Sequence, residues 1–147
     1  MESEADCKCF LSPGLIRPQQ VRLYSQDPSD IHVYYMPNNP AQEKHAKELW
    51  ERIRREFPEL RIYRVWDRPI GPHPVPMFEV NVHTPAQFGA FIPWLSVWRG
   101  PLSALIHPNT KEEGDHGSIE ERNHTERAIW MGEKFPINTT LFRGMSS

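Results

Sequence analysis

Cysteine is nearly absent. Cys7 and Cys9, in a single Cys-x-Cys, are the whole complement of the 147 residues. A structural zinc site needs a second pair, so these two read as ordinary thiols. Long apolar runs are missing as well, and none reaches the length that spans a membrane. The N-terminus lacks a basic start followed by an apolar core, so the chain reads as cytoplasmic with no membrane partner. Nor is there an excess of positive charge. Lys plus Arg number 17 against 19 Asp plus Glu, a net of −2, which argues against a nucleic-acid partner. The dense basic group, Arg52, Arg54 and Arg55, is interleaved with Glu48, Glu51 and Glu56 as on a solvated helix face.

What the chain does have is aromatics, prolines and histidines. Residues 1–28 are polar, without periodicity and punctuated by proline, and are expected to form a flexible leader. Order is expected over 29–142, with 143–147 as a tail. Ile31 to Tyr35 has strand character. Asn39 offers a cap and Pro40 a first helical position, and Ala46, Leu49, Trp50, Ile53 and Phe57 follow at helical spacing. Pro58 ends that helix. Arg61 to Trp66 reads as a second strand, and Met77 to Val82 as a third with clear alternation. Thr84-Pro85-Ala86-Gln87 is a capping box, with Phe88, Phe91, Ile92 and Leu95 as the buried stripe of a second helix. Leu102 to His107 reads as a fourth strand and residues 109–121 as a mobile charged loop. The Ile129-Trp130-Met131 and Ile137 to Phe142 segments are apolar enough to dock back.

This order is βαββαβ: an α+β, ferredoxin-like domain with an antiparallel sheet and a C-terminal extension. Both helices then cover one sheet face. A tail, a second subunit (hence a homodimer) or a ligand must cover the other. Alternation places His32 and Tyr34 on that open face, with Glu79 and Asn81 of the third strand and Ser103, Leu105 and His107 of the fourth. The first strand lies between the third and the fourth, so His32 is expected beside Glu79 and His107. His73, clamped between Pro72 and Pro74, comes from the loop feeding the third strand. Imidazoles with one carboxylate on a rigid sheet suit a non-haem iron(II) site. The bland alternative, in which each histidine is structural and Glu79 pairs with Arg61 or Arg64, stays open. His45, His83 and His116 read as surface or turn residues.

Five motifs then occur in order: Ile31-His32-Val33-Tyr34-Tyr35; Pro69 to Pro74 with Met77-Phe78-Glu79-Val80; Pro93-Trp94-Leu95; Leu105 to Thr110; and His124 to Gly132. Together they resemble the DOPA 4,5-dioxygenase family over nearly all of the ordered chain. The resemblance implies extradiol cleavage by O2 of a catechol such as L-DOPA, with iron(II) as cofactor. The product would be a seco-DOPA that cyclises to a pigment. The family's histidine motifs fall on His32, His73, His107 and His124. On this reading His32, His73 and His107, with Glu79 able to replace one, hold the metal, His124 moves a proton and Tyr34 orients the ring. Asp30 stands where relatives carry a first histidine of His-x-His, and Asn123 where they carry aspartate. These departures leave altered metal affinity, another substrate or loss of activity open. From other classes, a silent ferredoxin-like dimer binding a small aromatic ligand, or a metal-free enzyme using His and Glu79 as acid and base, competes.

Overall fold

Two capped helices and an alternating sheet set the frame. The computed structural model describes residues 28–145. The expected leader, apart from Pro28, and both cysteines lie outside them. Strand β1 (Ser29–Tyr34) leads into helix α1 (Pro40–Glu56), where the Asn39 side chain accepts the Gln42 N–H at 3.1 Å and Pro40 opens the helix. Strands β2 (Arg61–Ile62) and β3 (Met77–Val82) follow. Helix α2 (Pro85–Trp98) is capped in the same way by Thr84 on Gln87. Strand β4 (Ser103–His107), helix α3 (His116–His124), strand β5 (Ile129–Met131) and a 3-10 turn (Thr139–Gly144) complete the described chain. The sheet order is β2-β3-β1-β4-β5 with antiparallel pairing throughout. The fold is α+β, as the sequence predicts. Among the described residues no helix is long and apolar enough to cross a membrane.

One face of the sheet makes the main core. Ile31, Val33, Phe78, Val80, Ala104 and Ile106 pack against Ala46, Leu49 and Ile53 of α1 and Phe91 and Leu95 of α2. Helical spacing in the sequence becomes burial here, and truncating one such leucine to alanine costs about 2–5 kcal/mol. On the opposite face Tyr34, Met77 and Leu105 are covered by Trp66, Ile70, Ala128, Trp130, Phe135 and Ile137. The chain's own C-terminal extension and the loop before β3 therefore cover much of the face that the helices leave open.

Two elements differ from expectation. The strand expected over Arg61 to Trp66 is regular only for Arg61 and Ile62. Arg61 pairs with Asn81 and Ile62 with Val80, and Tyr63 N–H still reaches the Glu79 carbonyl at 2.9 Å. Trp66 N–H then bonds to the Met77 carbonyl, one residue out of that register, so an extra residue bulges from the strand and ends it. The segment expected as a mobile loop over 109–121 contains the start of α3. Asp115 caps it by accepting the Ser118 N–H at 2.8 Å, and Ile119 is buried. At Gly117 an added Cβ would meet the Phe142 carbonyl oxygen at 2.0 Å, so the helix lies directly on the terminal turn.

Candidate metal centre

Alternation along β1 puts Asp30, His32 and Tyr34 on the face away from the two main helices. His32 stands opposite Glu79 on one side and Leu105 on the other, while Asp30 stands opposite Asn81 and His107. His107 therefore reaches His32 diagonally, with 3.1 Å between their Nε2 atoms. His73 arrives on a tight turn in which its N–H bonds to the Ile70 carbonyl at 3.0 Å and Gly71 takes the left-handed φ of 52°. His124 enters on the last turn of α3. The ring centres of His32 and His73 are 4.0 Å apart and those of His107 and His124 are 3.9 Å apart. All four rings are buried.

Burial, reinforced by the neighbouring imidazoles, pulls the His73 and His107 pKa values from their usual 6.5 to about 3. His32 is driven well down by burial and by its three histidine neighbours, and His124 is lowered by burial. At neutral pH these rings are uncharged, which is the form that binds metal. Carboxyls move the other way. Burial lifts Asp30 to about 7, opposed by a bond from Asn109, and also raises Glu79. Asn81 Nδ2 bridges the two, donating to Asp30 Oδ1 at 2.6 Å and to Glu79 Oε1 at 2.8 Å. Burial raises the Tyr34 phenol as well.

The partners of each ring decide where its proton sits. His107 Nδ1 lies 3.0 Å from the Pro108 carbonyl oxygen and His124 Nδ1 2.8 Å from that of Glu120. A carbonyl only accepts, so both rings carry the proton on Nδ1 and leave Nε2 bare. Tyr34 OH lies 2.7 Å from His73 Nδ1, its hydrogen-bond partner among the described residues. The phenol donates, and His73 keeps its proton on Nε2. His32 is in conflict either way. Its Nδ1 has no hydrogen bond and faces Glu79 Oε2 at 4.0 Å. A proton on Nδ1 suits that carboxylate but sets two bare Nε2 atoms against each other; a proton on Nε2 makes the 3.1 Å bond to His107 and leaves the buried Nδ1 unpartnered. A divalent cation between His32 and His107 removes both conflicts. Two nitrogens held about 2.1 Å from one ion at a right angle are about 3 Å apart, close to what is seen. The residues present fit a metal.

Two groups bring their donor atoms within 4.8 Å of one another: His32, His73 and His124, and Asp30, His32 and His107. Thus His32, His73 and His107, expected as ligands, meet around one space, although not as a single closed trio. Glu79 belongs to neither group and stands behind His32. His124, expected as a proton carrier, joins the cluster at ligand distance, and Tyr34 touches it through His73. His45 bonds to the Trp98 carbonyl at 3.3 Å, and His83 and His116 are exposed. Asp30 is what sequence reasoning passes over: it reads there as a missing histidine, although alternation puts it on the same face as His32, opposite the Asn81 that the sequence already places there. A cavity of about 460 Å³ lies alongside, walled by Asn109, Glu112, His116, Ile119 and Glu120 among others. Two of these walls touch the cluster directly, Asn109 through Asp30 and Glu120 through His124.

A split β-α-β sheet with a buried, uncharged imidazole cluster on its second face defines an α+β scaffold with a metal-ready pocket. The chain belongs to the Dopa 4,5-dioxygenase family, whose model matches residues 29–141. It is 65% identical over 114 residues to an uncharacterised 21.2 kDa protein of Botryotinia fuckeliana, covering 78% of this chain and 62% of that one. It is 37% identical over 113 residues to the DOPA 4,5-dioxygenase of Amanita muscaria, covering 74% of this chain and 46% of that one. The chain thus spans about half to three fifths of the length of these relatives. A crystal structure of a protein from Nostoc punctiforme, provisionally named a dioxygenase, matches with a TM-score of 0.69 and 31% identity. That match covers 82% of this chain and 95% of the other.

Proposed function

We propose that this protein is a non-haem iron(II) extradiol dioxygenase acting on a catechol such as L-DOPA. The product would be a ring-opened seco-DOPA, a pigment precursor. Family membership supports the reaction class, and the observation that carries the metal is the pair of Nε2 atoms of His32 and His107, 3.1 Å apart, with His32 Nδ1 left buried and unpartnered. His32 and His107 hold the ion, with Glu79 behind His32 to take its Nδ1–H. Iron(II) bound there would supply a Lewis acid for the catechol oxygens and a path for electrons from the catechol to O2. Both oxygen atoms end in the product, so no outside reductant is needed.

The remaining residues divide the proton work. His124, its Nδ1–H fixed on the Glu120 carbonyl, offers a bare Nε2 to a catechol hydroxyl and acts as general base. His73, backed by the Tyr34 hydroxyl, presents a proton on Nε2 and serves as donor to developing negative charge. The apolar layer of Tyr34, Trp130, Phe135 and Leu105 limits water on the far side. Substrate approaches along the cavity beside Asn109 and Glu120. Anaerobic reconstitution with iron(II), followed by exposure of L-DOPA and simple catechols to air, tests the reading. A yellow ring-fission product that depends on iron is expected. Stoichiometric iron without product on any catechol, or product that survives chelator, would sink it.

A further inference from the structure

The third protein donor is set by where protons are missing. Asp30 lies directly across from His107 in the β1–β4 pairing and two residues before His32 on the same strand face. Its Oδ1 is occupied, accepting the Asn81 amide at 2.6 Å. Its Oδ2 points at His107 Nε2, 3.9 Å away. That nitrogen is bare, because the ring's proton is committed to the Pro108 carbonyl at 3.0 Å. The Asp30 oxygen and the bare nitrogen therefore face each other beyond hydrogen-bond distance, and His32 Nε2 stands 3.1 Å from the same nitrogen. Three potential ligand atoms gather around one point, two of them anchored from behind, and a cation there would satisfy all three. His107 is anchored by a carbonyl, Asp30 by Asn81, and His32 is flanked by Glu79.

His73 and Glu79 fit this place less well. His73 has its Nδ1 taken by the Tyr34 hydroxyl and carries its proton on Nε2, which makes it a donor. Glu79 faces His32 from the Nδ1 side, 4.0 Å away, with the imidazole ring between it and the shared point. We propose that Asp30, His32 and His107 form a two-histidine, one-carboxylate face for a divalent metal, with Asp30 as its anionic ligand. Such a face fixes three adjacent positions and leaves three for exchangeable ligands. The aspartate is thus a replacement ligand and not a lost one. The inference rests on the metal-centre reading above and assigns a residue within it.

The test is cobalt(II) titration of the full chain under nitrogen, read by calorimetry and by visible absorption, with circular dichroism to check folding. Wild-type protein should bind one equivalent. Removing an outer partner of a metal site costs about 10–100-fold in affinity. Asp30→Ala and Asp30→Asn should therefore weaken binding more than a hundredfold, and Glu79→Gln by no more than that outer-shell range. Asp30→His should bind cobalt with shifted visible bands, as nitrogen replaces oxygen, whereas Glu79→Gln should keep the wild-type bands. If Asp30→Ala does not fold, the near-isosteric Asp30→Asn and the Asp30→His spectrum decide alone. Cobalt binding by Asp30→Asn within tenfold of wild type, or a wild-type spectrum in Asp30→His, overturns the assignment while leaving a metal centre standing. Failure of the wild-type protein to bind cobalt, iron(II) or manganese(II) overturns the centre itself, and this assignment with it.

Discussion

Acid should unfold the metal-free protein well before it unfolds an ordinary domain of this size. His73 and His107 have folded pKa values of about 3 against 6.5 when exposed, and His32 and His124 are lowered too. Between pH 6.5 and about 3 the unfolded chain binds protons that the folded one refuses, so stability falls as pH falls. Asp30 works in the opposite sense. Its folded pKa of about 7 lies above its exposed 3.8, so its share of stability grows as pH drops through 7, and Glu79 follows the same direction. His73 and His107 against Asp30 leave a net uptake of about one proton on unfolding, and the lowering of His32 and His124 acts in the same direction. That amounts to roughly 1–3 kcal/mol lost per pH unit. Against a total stability of about 5–15 kcal/mol, moving from pH 6.5 to 5 should lower the melting temperature on the order of 10 °C. The assay is thermal and urea unfolding of chelator-treated protein at pH 7, 6 and 5. His73→Gln, which removes one titrating ring, should flatten the dependence by about one proton. Equal or greater stability at pH 5, with the variant tracking wild type, would refute the electrostatic account of the cluster.

Two further outcomes follow from packing and hydrogen bonding. Gly117→Ala forces a methyl group onto the Phe142 carbonyl, 2.0 Å from its ideal position, and should destabilise the domain by about 1–3 kcal/mol. Limited proteolysis should then cut near the terminal turn sooner than in wild type, and unchanged melting and cleavage would contradict the docking of α3. Asn81→Leu removes the amide that donates to both Asp30 and Glu79. It should weaken cobalt binding about 10–100-fold while leaving the visible bands in place, and a wild-type binding isotherm would show that the bridge does not position the ligand.

Much of the fold is legible because its cues are local and agree with one another. Asn39-Pro40 and Thr84-Pro85 announce helix starts, and the stripes beginning at Ala46 and Phe88 announce which faces are buried. Helix α3 is hidden because its buried residues are Gly117, Ile119, Asn123 and His124, a stripe with a single aliphatic side chain. Nothing in hydrophobic periodicity detects it; only the Asp115 cap hints at its start. The shortened β2 is hidden for a related reason. A bulge is decided by how Trp66 seats against Tyr34's side of the sheet and against Met77, which is a tertiary preference.

The site divides along a different line. That His32, Glu79, Asn81 and His107 share a face is a matter of alternation and needs no coordinates. That His32 Nε2 meets a bare His107 Nε2, while His73 meets a phenol, depends on carbonyl and hydroxyl positions behind each ring. A histidine is the same letter whether it offers a lone pair or a proton, and the backbone oxygen at its back selects between them. The Pro108 and Glu120 carbonyls make His107 and His124 acceptors, and the Tyr34 hydroxyl makes His73 a donor. The prolines around His73, which suggested a rigid ligand, fix its backbone equally well for the opposite task. His73→Gln separates the two, since an amide keeps a donor near the Nε2 position but is a poor metal ligand. It should retain cobalt affinity within about tenfold, less than an outer-partner loss at its upper limit, while slowing ring cleavage. A collapse of cobalt affinity in this variant would return His73 to the ligand set.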